Sequence, residues 1–163
     1  MSQPVIIVRG RLAKRLREEA RRLGVTVDEY LVEVLSQGLD PKSRAVEYVE
    51  AAESLLEEVR EELERGKVRQ AAEKLWGATA LAVKAYANWR HGKRLTSHRE
   101  LWEYKRRLED ELGEWVSDAW NAGNTMHICF YEGWCAEKDV GTAYKRVERL
   151  VREIANMIKN DGL

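Results

Sequence analysis

The stretch Ala71-Ala-Glu-Lys-Leu-Trp76-Gly-Ala-Thr-Ala-Leu-Ala-Val-Lys84-Ala-Tyr-Ala87 leaves a folded chain few options. Alanine is the strongest helix former, and small side chains let neighbouring backbones come close. The segment belongs to a helix expected from about Val68 to His91, running through the middle of a helical bundle. Lys74 and Lys84 stand in this apolar background. Lys74 can reach solvent along its aliphatic stem, whereas Lys84 is a candidate for contacting an anion.

The flanking sequence supplies the other helices. Asp40-Pro41 reads as an N-cap followed by proline at the first helical position. From there Ala45, Tyr48, Val49, Ala52, Leu55, Leu56, Val59 and Leu63 keep helical spacing up to Gly66. The opposite face carries Glu47, Glu50, Glu57, Glu58, Glu61 and Glu62, the pattern of a solvated surface. Ser97-His-Arg-Glu100 is a capping box opening a helix that carries Leu101, Trp102, Tyr104 and Leu108 and stops at Gly113. A further helix is expected from Trp115 to about Trp134, and a last one from near Asp139 with Val140, Ala143, Tyr144, Val147, Leu150, Val151, Ile154 and Ile158 on one face. The expected fold is all-α: about five antiparallel helices over residues 40–163.

Residues 1–39 read as a separate small strand-helix-helix module, with the one plausible boundary near Gly38 to Pro41. Val5 to Val8 is a β-branched run expected to form a strand. Leu12, Leu16, Ala20 and Leu23 share a helical face that ends at Gly24. Thr26-Val-Asp-Glu29 reads as a second capping box, opening a helix with Val27, Tyr30, Leu31, Val34 and Leu35 turned inward. This order resembles the ribbon-helix-helix fold of dimeric repressors and antitoxins. A lone strand cannot satisfy its own backbone, so the resemblance implies a homodimer. For duplex DNA the candidates are Arg9 as a base reader and Arg11 among the phosphate contacts. Dimerisation, or packing against the rest of the chain, is favoured over specific DNA binding, because both strand faces are largely apolar.

Composition narrows the function classes. Of 163 residues, 28 are basic and 28 acidic, so net charge offers no argument for a nucleic-acid partner. The wealth of Glu, Arg and Lys leans toward a thermophile. Cys129 and Cys135 lie six apart, a spacing that suits neither a zinc site nor a disulfide framework, and a reducing cytoplasm is the simplest setting. No apolar run approaches roughly 18 residues and no signal-peptide core is visible, so no membrane is expected. Metal-ligand spacings and the Walker, GxGxxG and GxSxG motifs are missing, and neither a metal nor a cofactor is expected.

Three motifs carry a second resemblance: Ala71-Ala-Glu-Lys-Leu-Trp-Gly-Ala, Ser97-His-Arg-Glu-Leu-Trp and His127-Ile-Cys-Phe-Tyr-Glu-Gly-Trp134. Together they resemble the archaeal PaREP family over roughly residues 42–160, which looks like a branch of the HEPN superfamily of helical bundles. That resemblance implies nucleotide or RNA binding, and in many HEPN domains an endoribonuclease using an arginine with a histidine four to six residues later. His127 holds the histidine place and is the catalytic residue only if the protein is an RNase. Ala122 stands five residues earlier and no arginine occurs from Trp115 to Trp134, so cleavage by that route is disfavoured.

The expected nucleotide or RNA site therefore comprises Lys84, His98, Trp102, His127, Tyr131 and Glu132. His98 sits in a first helical turn, where backbone N–H groups favour an anion. His127, Tyr131 and Trp134 lie at i, i+4 and i+7 and so share one helix face, and a buried His127–Tyr131 pair is the competing structural reading. A basic band with interleaved aromatics, from Lys84 to Arg107, suits single-stranded RNA or is a solvated edge. The chain reads as a dimeric, non-catalytic nucleotide or RNA binder, with a DNA-binding regulator as the alternative.

Overall fold

The computed structural model describes residues 3–161, and all regular structure among them is helical. The helices are α1 (Gly10–Leu23), α2 (Val27–Leu35), α3 (Pro41–Glu64), α4 (Val68–His91), α5 (His98–Leu112), α6 (Trp115–Glu132) and α7 (Glu137–Asp161). The five expected after residue 40 are present, and α4 has the expected bounds. From Leu75 to Asn88 every residue of α4 is buried, enclosed by α3, α6 and α7, with α5 against α6.

Small residues make that enclosure possible. A Cβ on Gly123 of α6 would sit 2.8 Å from both Cβ and Cγ2 of Thr79 on α4, far inside contact distance. The Thr79 hydroxyl is satisfied locally, donating to the Leu75 carbonyl at 2.8 Å. A Cβ on Gly77 would lie 3.1 Å from Leu55 Cδ1 of α3. The α3 apolar face is buried as its spacing implied, apart from a half-buried Leu63. Asp40 caps α3 by accepting from Ser43 N at 3.0 Å, and both capping boxes form.

Three expectations need correction. Residues Val5 to Val8 are not a strand, so the strand-helix-helix module is replaced by two helices after an unpaired segment. β-Branched propensity alone cannot hold a strand when no second run in the chain pairs with it. The second correction concerns α2, which turns its polar side inward. Glu29, Glu33 and Ser36 face the bundle while Leu31, Val34 and Leu35 are exposed, Leu35 to 82%. The cause is Lys84, only 1% exposed, which lies 3.3 Å from Glu29 and 3.4 Å from Glu33. Arg94 takes the other Glu33 oxygen at 2.8 Å. Burial pushes the Glu29 carboxyl above its ordinary range, against the pull of the Lys84 ammonium. Third, Cys129 and Cys135 form a disulfide with Cα atoms 5.2 Å apart, possible because α6 ends between them at Glu132 and the chain turns back through Gly133 at φ +80°. The cysteines therefore no longer argue for a reducing compartment. No described helix is long and apolar enough to cross a membrane.

The close approach of α4 and α6 is testable. Gly123→Ala is expected to cost about 1–3 kcal/mol through overpacking, read as a lower urea midpoint. Adding Thr79→Ala removes two of the three clashing atoms and should recover part of the loss. An unchanged midpoint for Gly123→Ala would refute the close approach.

Candidate functional site

The site is assembled around Trp76, a buried ring on α4. The His127 ring of α6 lies 5.2 Å from it, the His98 ring of α5 lies 5.7 Å away, and Trp120 meets it edge-on at 5.2 Å. Trp102, one turn beyond His98 in α5, packs edge-on against Trp120 at 5.3 Å. These contacts bring the two histidines to 6.4 Å, ring centre to ring centre.

Hydrogen bonds fix the proton on each imidazole. The Trp102 indole N–H donates to His98 Nε2 at 2.9 Å, so that nitrogen is the acceptor and the ring proton resides on Nδ1. His127 Nδ1 lies 3.1 Å from Glu73 Oε2; a carboxylate only accepts, so Nδ1 carries the proton, and in the neutral ring Nε2 is the acceptor. The pair thus offers one N–H donor and one lone pair. Burial holds the His98 pKa below its ordinary value, and the neighbouring His127 adds to the effect.

Beside this cluster, a groove of about 490 Å³ runs between α1–α2 and α4–α6. Arg17 and Arg21 line it from α1, Gln70 and Glu73 from α4, and Phe130 and Tyr131 from α6. Tyr131 is 65% exposed and meets the His127 ring edge-on at 5.0 Å. Arg15 and Arg22 of α1 are paired with Glu19, and Lys14 with Glu18, whereas Arg17 and Arg21 have no carboxylate partner among the described residues. Their four-residue spacing puts both on one face of α1. Glu73 joins the two features, lining the groove and holding His127.

His98, Trp102, His127 and Tyr131 are therefore brought together as expected. Lys84 is not with them, since it is committed to Glu29 and Glu33. Glu132 accepts the Trp134 indole N–H at 2.7 Å, and Trp134 lies past the end of α6, off the His127–Tyr131 face. Arg9 and Arg11 are exposed at the start of α1. The basic band is largely neutralised: Arg94 pairs with Glu33, Arg99 with Glu103, Lys105 with Glu109 and Arg107 with Glu111. Two of those carboxylates come from the following turns of α5 and one from α2, beyond the stretch whose charges sequence reading weighed.

Sequence reading missed Glu73 and Arg21, and weighed Arg17 only as a phosphate contact to duplex DNA. Glu73 sits three residues before Trp76, within reach of the same helix face, a spacing that marks it in retrospect. Nothing in the sequence placed the two arginines beside Tyr131, because only the fold sets α1 across from α6. Arg69 of α4 does reach the C-terminal end of α6, but it donates to the Phe130 carbonyl at 3.0 Å and stacks on the Phe130 ring. It caps the helix.

Residues 47–151 match the archaeal PaREP1/PaREP8 family. The chain belongs to that family. The matched stretch runs from α3 into α7 and leaves α1 and α2 outside. No curated protein and no solved structure matches the chain.

The His98 environment predicts a pH dependence. A histidine whose folded pKa lies below its ordinary 6.5 is protonated first in the unfolded chain. Stability therefore falls as pH drops from above 6.5 through the lower folded value, and levels off below it. Urea midpoints across that window should show a smaller acid loss in His98→Asn than in the native protein; equal losses would contradict the desolvated histidine.

Proposed function

We propose that this PaREP1/PaREP8 protein is a homodimer that binds nucleotides or single-stranded RNA without cleaving them. One observation carries the reading: the groove sets two arginines with no carboxylate partner among the described residues opposite the exposed Tyr131 and the half-buried Phe130, with the Glu73–His127 pair between. Arginines neutralise phosphates, while Phe130 and Tyr131 offer faces on which bases stack whatever their sequence. The His98 N–H and the His127 Nε2 supply one donor and one acceptor for a base or ribose. The resemblance of the bundle to HEPN domains points to the same ligands.

Cleavage is the weaker reading of the same cluster. Acid–base cutting of RNA needs one imidazole to give a proton, and His98 is held toward its neutral form. The arginine of the HEPN motif is also missing, since Ala122 stands in its place and no arginine occurs from Trp115 to Trp134. Specific duplex-DNA reading loses its element altogether, because residues 5–8 form no strand to enter the major groove.

Binding is tested by titrating labelled single-stranded RNA against salt. Each phosphate contact contributes about 0.7 to the salt slope, so Arg17→Ala with Arg21→Ala should lower the slope by about 1.4. Tyr131→Ala should weaken binding by about 1–3 kcal/mol with the slope unchanged, and the RNA should be recovered intact. A native slope in the double arginine variant would remove the groove as the site.

The homodimer rests on where apolar surface is left uncovered. Val5, Ile6, Ile7, Leu12, Leu31, Val34 and Leu35 are all exposed, Ile6 to 89%. Beyond residue 39 the exposed large apolar side chains among the described residues are Ile128, Tyr131 and Trp134. A second copy presenting the same patch covers both at once about a two-fold axis. Light scattering should give twice the chain mass, and Leu35→Glu should give the monomer; a monomeric native protein would end this reading.

A further inference from the structure

Away from the RNA groove, a trough of about 390 Å³ lies between α6 and α7. The Arg149 guanidinium sits 4.1 Å over the Trp115 ring, which fixes how these antiparallel helices face each other. Three residues further along α6 is Asp118, and three residues back along α7 is Arg146, so these two face one another across the trough. They are nonetheless not ion-paired. Arg149, Arg152 and Lys159 of α7 each hold a carboxylate, whereas Lys138 and Arg146 hold none among the described residues. Arg146 makes only a long 3.5 Å contact to the Thr142 carbonyl.

The other polar groups of the trough are mostly spent. Thr125 and Thr142 donate to carbonyls of their own helices at 2.8 and 3.0 Å, and Asp139 accepts from Ala136 N at 3.2 Å. Asp118, Arg146, Asn121 and Lys138 remain. Between them, Ala122, Met126 and Ala143 make an apolar floor. Trp134, 45% exposed, stands with Lys138 at the end remote from Arg146, on the short loop closed by the Cys129–Cys135 disulfide.

We propose that this trough binds a free α-amino acid with an aromatic or large apolar side chain. Opposite charges that face each other without touching are bridged by a ligand carrying both charges close together. The Arg146 fork takes the carboxylate, and Asp118 takes the ammonium. The side chain then lies along the alanine–methionine floor toward Trp134, where an aromatic ring finds an indole partner.

The experiment is calorimetric titration of the full chain with L-phenylalanine, N-acetyl-L-phenylalanine and L-phenylalaninamide. L-Phenylalanine is expected to bind, and each blocked form to bind at least about tenfold more weakly. Asp118→Asn should abolish the preference for a free ammonium and Arg146→Gln the preference for a free carboxylate, both at native melting temperature. Tyr131→Ala, which damages the RNA groove, should leave phenylalanine binding unchanged, so either reading can fail alone. Absence of binding up to about 10 mM by a protein that melts normally, or equal binding of the blocked forms, overturns the proposal.

Discussion

A helix buried on all sides must satisfy the polar side chains it carries, and four of those on α4 set how its neighbours pack. Glu73 finds His127 of α6. Thr79 bonds back to its own backbone and leaves room for Gly123. Lys84 draws in Glu29 and Glu33 of α2. Asn88 donates to the Lys84 carbonyl at 2.8 Å and accepts from Arg44 at 3.1 Å, while Arg44 also holds the Leu39 carbonyl of the α2–α3 connection. Most of the tertiary arrangement follows from these four demands. One places the histidine, one sets the α4–α6 spacing, and two dock the N-terminal helices.

The lysine has the largest structural consequence. An ammonium in an apolar interior is tolerated only with opposite charge close by, and removing one partner of such a pair typically costs about 3–5 kcal/mol. α2 therefore spends its polar face on the bundle, and its leucines and valines end up outside. The exposed apolar patch and the buried ion cluster are two sides of one event. Docked by charge, α2 also carries α1 into place, and α1 supplies the Arg17 and Arg21 wall of the groove. The arginine wall of the groove thus depends on Lys84, although Lys84 touches no part of the histidine cluster.

Much of the bundle was legible in the sequence because its rules are local. Proline, glycine and capping boxes placed the ends of α3, α4 and α5, and the 3.6-residue spacing of α3 and α7 named the faces that are buried. What failed was decided by partners distant in sequence. The Val5 to Val8 run has strand chemistry and no strand to pair with. The apolar face of α2 follows helical spacing faithfully, yet Lys84, some fifty residues later, overrides it. The basic band looked open because the carboxylates that close it include Glu33 on α2 and the later turns of α5. Within the site, His98, His127, Trp102 and Tyr131 were visible as residue types in motifs. Their tautomers were not, since those depend on Glu73 and on the rotation of an indole.

The C-terminal end of α6 shows how one local closure serves two surfaces. Arg69 occupies the Phe130 carbonyl, Gly133 reverses the chain, and the disulfide ties Cys129 to Cys135 across a sequence separation of six. Closing so short a loop in the unfolded chain is worth about 2 kcal/mol by the chain-entropy relation. Tyr131 lies on one side of this closure and faces the groove; Trp134 lies on the other and faces the trough. The two exposed aromatics are only three residues apart, and a continued helix would have kept them near one face. Ending α6 at Glu132 sends them to different surfaces, one toward the groove and the other toward the trough.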